Sequence, residues 1–185
     1  MNKIYITAND LLLDSYKLAI NMYDSGFRPD FIVGIWRGGT PVGIAVQEML
    51  AYLGAKSDHI AIRTSSYTGI GEQNKTVQVH GLDYIIRNIN YDDKLLLVDD
   101  VYDSGRSIQA VIETLQDKSR RNTPDDIRIA TPWFKPNNNL TKRVPDYYLH
   151  STDEWLVFPH ELEDLTEEEI FANKPGLKNL LQRKK

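Results

Sequence analysis

Cysteine is absent from the 185 residues, which removes disulfides, thiol nucleophiles and cysteine-bearing zinc sites together. Long apolar runs are missing as well. Clean apolar stretches such as FIVGIW at 31–36 and LLLV at 95–98 fall far short of the roughly 20 residues that a membrane-spanning helix needs. The opening MNKIYITAND lacks the apolar core of a secretory leader, so a cytoplasmic protein with no membrane partner is expected. Positive charge is not in excess: 22 Lys and Arg against 26 Asp and Glu leave a formal net charge of −4. The longest unbroken basic run is Arg183, Lys184 and Lys185, too little to suggest a nucleic-acid face. Repeats and low-complexity tracts are also absent. With 41 % hydrophobic residues the chain is too apolar for a disordered one. Its length suits one domain, 1–185, with room for a small appendage.

What is present reads as alternating strands and helices. A first helix is expected over 7–25, started by Thr7 or Asp10 and stopped by Gly26, with Leu12, Tyr16, Ala19, Ile20 and Tyr23 on its buried face. FIVGIW, a continuous apolar run, suits a strand buried on both sides. A helix from Pro41 to Leu53 follows, with Thr40 as N-cap, Pro41 at the first helical position and Gly54 closing it. Strands are expected over 59–67, 95–100, 126–134 and 146–152, and a short one in WLVFP at 155–159. Short helices are expected at 82–89 and near the C-terminus, where TEEE at 166–169 forms a capping box. The polar stretch between the second strand and the 82–89 helix reads as a mobile loop or loose hairpin. Strand–helix alternation with uniformly apolar strands implies an α/β fold on a mostly parallel sheet flanked by helices.

In such sheets ligands bind beyond the carboxyl ends of the strands, and two strand ends are unusual here. LLLVDDVYDSGRSIQAV, 95–111, runs from an apolar strand into Asp99 and Asp100, then into Asp103-Ser104-Gly105-Arg106-Ser107 at the start of a helix. Small residues and free backbone N–H groups at a helix N-terminus can hold a phosphate. Ser104 and Ser107 add hydroxyl donors, and Gly105 permits close backbone approach. Two carboxylates beside a phosphate repel it unless they face a ribose diol or a divalent cation that bridges to the ligand. The second strand end, IVGIWRGGTPVG at 32–43, offers Arg37 with Gly38 and Gly39. That pattern could be a plain glycine turn or an anion loop with a bidentate guanidinium.

VDDVYDSGRS resembles the phosphoribosyl-pyrophosphate signature of the type I phosphoribosyltransferases, with serine replacing threonine twice. Further segments over most of the chain are similar to the purine-salvage branch, the xanthine-guanine and hypoxanthine-guanine phosphoribosyltransferases. The resemblance implies the type I fold with a small hood built from terminal segments, the base-binding region lying mainly in 135–185. It implies that Arg37, Gly38 and Gly39 bind pyrophosphate, with a non-proline cis peptide at Trp36–Arg37 or next to it. Asp99, Asp100, Asp103, Ser104, Gly105, Arg106 and Ser107 would bind phosphoribosyl pyrophosphate, and Asp99 and Asp100 would also hold Mg2+. The polar loop 64–78 would close over the substrate, with Ser66 and Tyr67 at its start. Lys135 would donate to the purine 6-oxygen, Trp155 stack on the base, the backbone at Leu156 meet the ring edge and Glu161 lie near the 2-substituent. His160 departs from the tryptophan expected before that acid.

The implied reaction transfers the 5-phosphoribosyl group to a 6-oxopurine (guanine, xanthine or hypoxanthine), with Asp103 as general base. Alternatives are a transferase of another acceptor class and a non-catalytic sensor of phosphoribosyl pyrophosphate. Small-molecule substrates are the expected partners, and a homo-oligomer, dimer or tetramer, is expected from the family's habit.

Overall fold

The FIVGIW and LLLV runs form adjacent interior strands. The computed structural model describes residues 2–67, 76–174 and 176–182. In chain order its elements are β1 (Lys3–Tyr5), α1 (Ala8–Asp24), β2 (Phe31–Trp36), α2 (Gly39–Tyr52), β3 (Asp58–Tyr67), β4 (Thr76–His80), α3 (Asp83–Asn88), β5 (Lys94–Val98), β6 (Val101–Tyr102), α4 (Arg106–Ser119), β7 (Asp126–Ala130), β8 (Trp133–Phe134), β9 (His150–Ser151), β10 (Trp155–Val157), α5 (Glu167–Asn173) and α6 (Leu177–Gln182).

The chain divides into two compact units, Leu12–Asp153 and a smaller one made of Met1–Leu11 with Glu154–Lys185. The larger holds a sheet in the order β4-β3-β2-β5-β7. β3, β2, β5 and β7 run parallel and β4 antiparallel to β3. Alternate residues point to opposite faces. Val33, Ile35, Leu95, Leu97 and Ile129 join one core cluster with Ile85 of α3 and Ile108, Val111, Ile112 and Leu115 of α4. Each such aliphatic side chain contributes about 1.5–3 kcal/mol when fully buried. On the opposite face Gly34 of β2 lies under α2, where an added Cβ would come within 3.2 Å of the Gly39 carbonyl oxygen. The helix therefore sits close to the strand. A second small sheet, β6-β8-β9, is parallel throughout.

In the smaller unit β1 pairs in parallel with β10, Lys3 opposite Trp155 and Tyr5 opposite Val157. α5 begins with the expected capping box, Thr166 and Glu169 bonding reciprocally. Lys3 Nζ lies 2.6 Å from Glu169 Oε1, and Lys174 Nζ donates to the Phe158 carbonyl at 2.5 Å.

Four local expectations are corrected. The buried face of α1 is Leu11, Asp14, Ser15, Leu18, Ala19 and Met22, whereas Leu12 and Ile20 are exposed. Asp14 and Ser15 make the true inner face look polar in sequence. Thr40 does not cap α2. The helix starts at Gly39 with Gly38 as cap residue and no side-chain cap bond. The strand expected over 126–134 breaks at Thr131–Pro132 into β7 and β8, which belong to different sheets. Of 146–152 only His150–Ser151 is a strand, with an isolated bridge from Tyr147 to Ala130.

Candidate active site

Beyond the carboxyl end of β5 the chain places both carboxylates against the loop that follows β2. A Cβ at Gly38 would fall on the Asp100 carboxylate. One at Gly39 would meet the Val98 carbonyl and come within 2.8 Å of the Asp99 Cα. The glycine pair is thus required first by the chain's own acidic strand end. Asp99 Oδ1 accepts the Asp100 N–H at 3.0 Å, and the Gly39 N–H also donates to this side chain. An N-terminal donor of α2 is thereby satisfied from a distant strand, in place of the local cap that Gly38 cannot supply. Burial, with the Asp100 carboxylate beside it, holds the Asp99 carboxyl well above its usual range. Asp100 is itself buried. The Trp36–Arg37 peptide is cis, as expected, and the Arg37 side chain is exposed at the rim.

The second loop runs from β6 into α4. Gly105 is the cap residue of α4 with φ 75°, a conformation that L side chains rarely adopt. A Cβ there would lie 2.6 Å from Tyr102 Oη and 2.8 Å from Thr141 Oγ1. Tyr102 is buried, and its hydroxyl bonds Thr141 at 2.8 Å and the Arg143 carbonyl at 3.3 Å. Asp99, Asp103, Ser104, Gly105 and Ser107 line one small cavity of about 70 Å³ at this helix start. The expected anion-loop residues therefore come together at the positive end of the α4 dipole, where the Arg106 N–H donates to Ser104 Oγ at 3.4 Å.

Lys135 enters beside Asp103 through strand register. β6 and β8 pair Val101 with Trp133 and Tyr102 with Phe134, so the next residue of each strand, Asp103 and Lys135, emerges at the same level. Lys135 is buried, its N–H donates to the Tyr102 carbonyl at 2.9 Å, and its Nζ lies 3.6 Å from Asp103 Oδ2. An ammonium donor and a carboxylate acceptor are thus presented side by side next to the anion loop. Sequence reading named both residues but not their pairing, which depends on two-residue strands with no periodic signal. It also passed over Tyr102 and Thr141, for which only the tight Gly105 geometry supplies a reason. The Thr40 hydroxyl, one residue beyond the glycine pair, is buried without a hydrogen-bond partner among the described residues.

Ser66 lies in β3 opposite Val77, and Tyr67 opposite Thr76, so both ends of the polar stretch belong to a hairpin. Residues 68–75 of the expected closing loop lie outside the described residues. Thr76 and Val77, at the start of β4, border a cavity with Arg106 and Gln109 of α4. In the smaller unit Trp155 is 46 % exposed and Leu156 is buried in the β1–β10 pair. Glu161 Oε2 accepts the Phe158 N–H at 3.0 Å, and the His160 ring stacks on Phe158 at 5.8 Å.

No group of three or more His, Cys, Asp or Glu suited to a metal occurs among the described residues. The two adjacent carboxylates are still a fitting donor set for Mg2+, which takes one or two carboxylates and completes its shell with water and substrate phosphates.

Residues 6–166 match the phosphoribosyl transferase domain family. The chain is 24 % identical to xanthine phosphoribosyltransferase 1 of Saccharomyces cerevisiae over 202 aligned positions, covering 94 % of this chain and 97 % of that protein. A purine phosphoribosyltransferase structure from Pyrococcus horikoshii is 29 % identical with a TM-score of 0.67, covering 90 % of this chain and 99 % of that one. A xanthine-guanine-hypoxanthine phosphoribosyltransferase of Helicobacter pylori shares the fold at 23 % identity and a TM-score of 0.65, covering 98 % and 99 %.

Proposed function

The chain belongs to the phosphoribosyl transferase domain family, and from that premise we propose that it moves the 5-phosphoribosyl group of phosphoribosyl pyrophosphate onto a 6-oxopurine. The observation that carries the choice of acceptor is the Asp103–Lys135 pair, 3.6 Å apart. A 6-oxopurine presents O6 and N7 as neighbours on one edge. When N7 carries a proton, that edge offers an acceptor to an ammonium and a donor to a carboxylate. Adenine places an amino donor where Lys135 needs an acceptor, so two donors would face each other at that edge and adenine is rejected.

In this reading Asp103 is the general base that takes the purine proton as the new bond forms. Ser104–Ser107, Arg106 included, hold the ribose phosphate with backbone N–H groups and two hydroxyls. Arg37, Gly38, Gly39 and the Thr40 hydroxyl face the pyrophosphate. Asp99 and Asp100 hold the ribose diol, and they are the residues that would hold Mg2+. When bound, the metal neutralises charge on the departing pyrophosphate. Trp155 stacks on the base, worth about 1–3 kcal/mol and indifferent to base identity. Leu156 and Glu161 serve the 2-position, and Ser66 and Tyr67 the closing segment that excludes water. The two units act as one transferase domain. The protein works in the cytoplasm as a homo-oligomer.

Purified protein, Mg2+ and phosphoribosyl pyrophosphate, assayed for pyrophosphate release with each base separately, test this. Turnover is expected with at least one of hypoxanthine, guanine and xanthine, and none with adenine, uracil or orotate. Turnover confined to adenine or a pyrimidine would refute the Lys135 assignment, and tight substrate binding without turnover would leave a sensor.

A further inference from the structure

At the far end of α4 a cleft of about 370 Å³ gathers Arg120, Arg121 and Arg143 with Tyr91, Pro124 and Asp125. Arg120 and Arg121 follow the last helical turn, while Arg143 arrives from the segment between β8 and β9. None of the three guanidiniums has a carboxylate or hydrogen-bond partner among the described residues. Neighbouring Arg128, by contrast, is paired with Asp126 at 2.9 Å. The cleft's one carboxylate, Asp125, is engaged by the Tyr91 hydroxyl. Its charge, with that hydrogen bond, pushes the hydroxyl's pKa above the usual value. In a chain of net charge −4, this is three cations around one cavity against a single occupied acid.

The α4 dipole explains part of the composition, since cations are favoured at a helix C-terminus. It accounts for Arg120 and Arg121. It does not account for Arg143, or for the backbone of Arg120, which adopts φ 51° where glycine is favoured. Sparsely populated conformations of this kind cost about 1–3 kcal/mol and persist where the surroundings hold them. Guanidiniums are suited to bidentate recognition of phosphate. The exposed Tyr91 ring and Pro124 supply an apolar wall for a planar group.

From these residues we infer that the cleft is a second anion site, taking a phosphate-bearing ligand of nucleotide size. It is separate from the reacting substrates in its lining: no residue that borders this cleft borders the cavity at Ser104–Ser107. The two are nevertheless joined by contact. The Arg143 carbonyl accepts from the Tyr102 hydroxyl, and Tyr102 packs directly against Gly105. An anion that draws Arg143 toward the cleft therefore acts on the backbone to which Tyr102 is tied.

The test is an amide-resolved NMR titration of the full chain without metal, using ATP in one series and inorganic phosphate in another. Saturable ATP shifts are expected at Tyr91, Thr123 and Asp125, and Arg120→Gln with Arg143→Gln should weaken them at least tenfold. The double variant should keep its turnover in the pyrophosphate-release assay, because neither side chain belongs to the reacting site. Binding at the catalytic loop reads out separately, through Ser104–Ser107. Shifts confined to that loop, shifts unchanged in the double variant, or saturation by inorganic phosphate as tight as by ATP would each overturn the proposal.

Discussion

A single methyl group at Gly38 has nowhere to go, because its place is taken by the Asp100 carboxylate. Gly38→Ala is expected to displace that carboxylate and to lower kcat/KM by about 10²-fold, the usual effect of an ångström-scale misplacement. Steady-state kinetics check this, and normal activity in that variant would remove Asp100 from the site. At Asp103 the expectation concerns proton transfer. Asp103→Asn keeps the size and one acceptor but not the basicity. Turnover should fall about 10²–10⁴-fold, with phosphoribosyl pyrophosphate affinity little altered. Isothermal titration beside kinetics separates the two, and an equal loss in both would recast Asp103 as a binding residue.

Among elements, the β6–α4 turn concentrates the constraint. Gly105→Ala must adopt a positive φ and also push aside Tyr102 and Thr141, so a loss of about 1 kcal/mol or more is expected. A urea midpoint unchanged from wild type would contradict the packing described. The sheet was legible in sequence because β2 and β5 are buried on both faces and read as unbroken apolar runs. α4 was legible because Ile108, Val111, Ile112 and Leu115 repeat at helical spacing. The inner face of α1 was not, because burying Asp14 and Ser15 overturns the polarity on which periodicity relies. The candidate anion loops were visible as residue types. Their reasons were not: Gly38 and Gly39 accommodate Asp99 and Asp100, and Asp103 meets Lys135 through the register of two-residue strands. Such pairings are tertiary facts, and no window of sequence contains them.

For the molecule as a whole, acid is the informative variable. Glu169 accepts from Lys3, from Tyr5 and from the Thr166 N–H, and these hold its carboxyl at about 2, down from 4.5. A carboxyl lowered by folding stabilises fully above its unfolded value and loses that contribution as pH falls through the folded one. The smaller unit should therefore lose β1 and α5 protection between pH 4.5 and about 2, followed by amide exchange at Tyr5 and Thr166. Glu169→Gln should flatten that limb, and an identical acid profile in the variant would discard the tie. The same unit has a consequence for biosynthesis. β1 is translated ahead of the larger unit, yet its strand partner, Trp155–Val157, is translated only after the whole of that unit. On the ribosome the parallel sheet has every strand it needs while β1 still waits unpaired. The polypeptide thus holds all of the larger unit before it owns the strand that carries Trp155, and completes the smaller unit last.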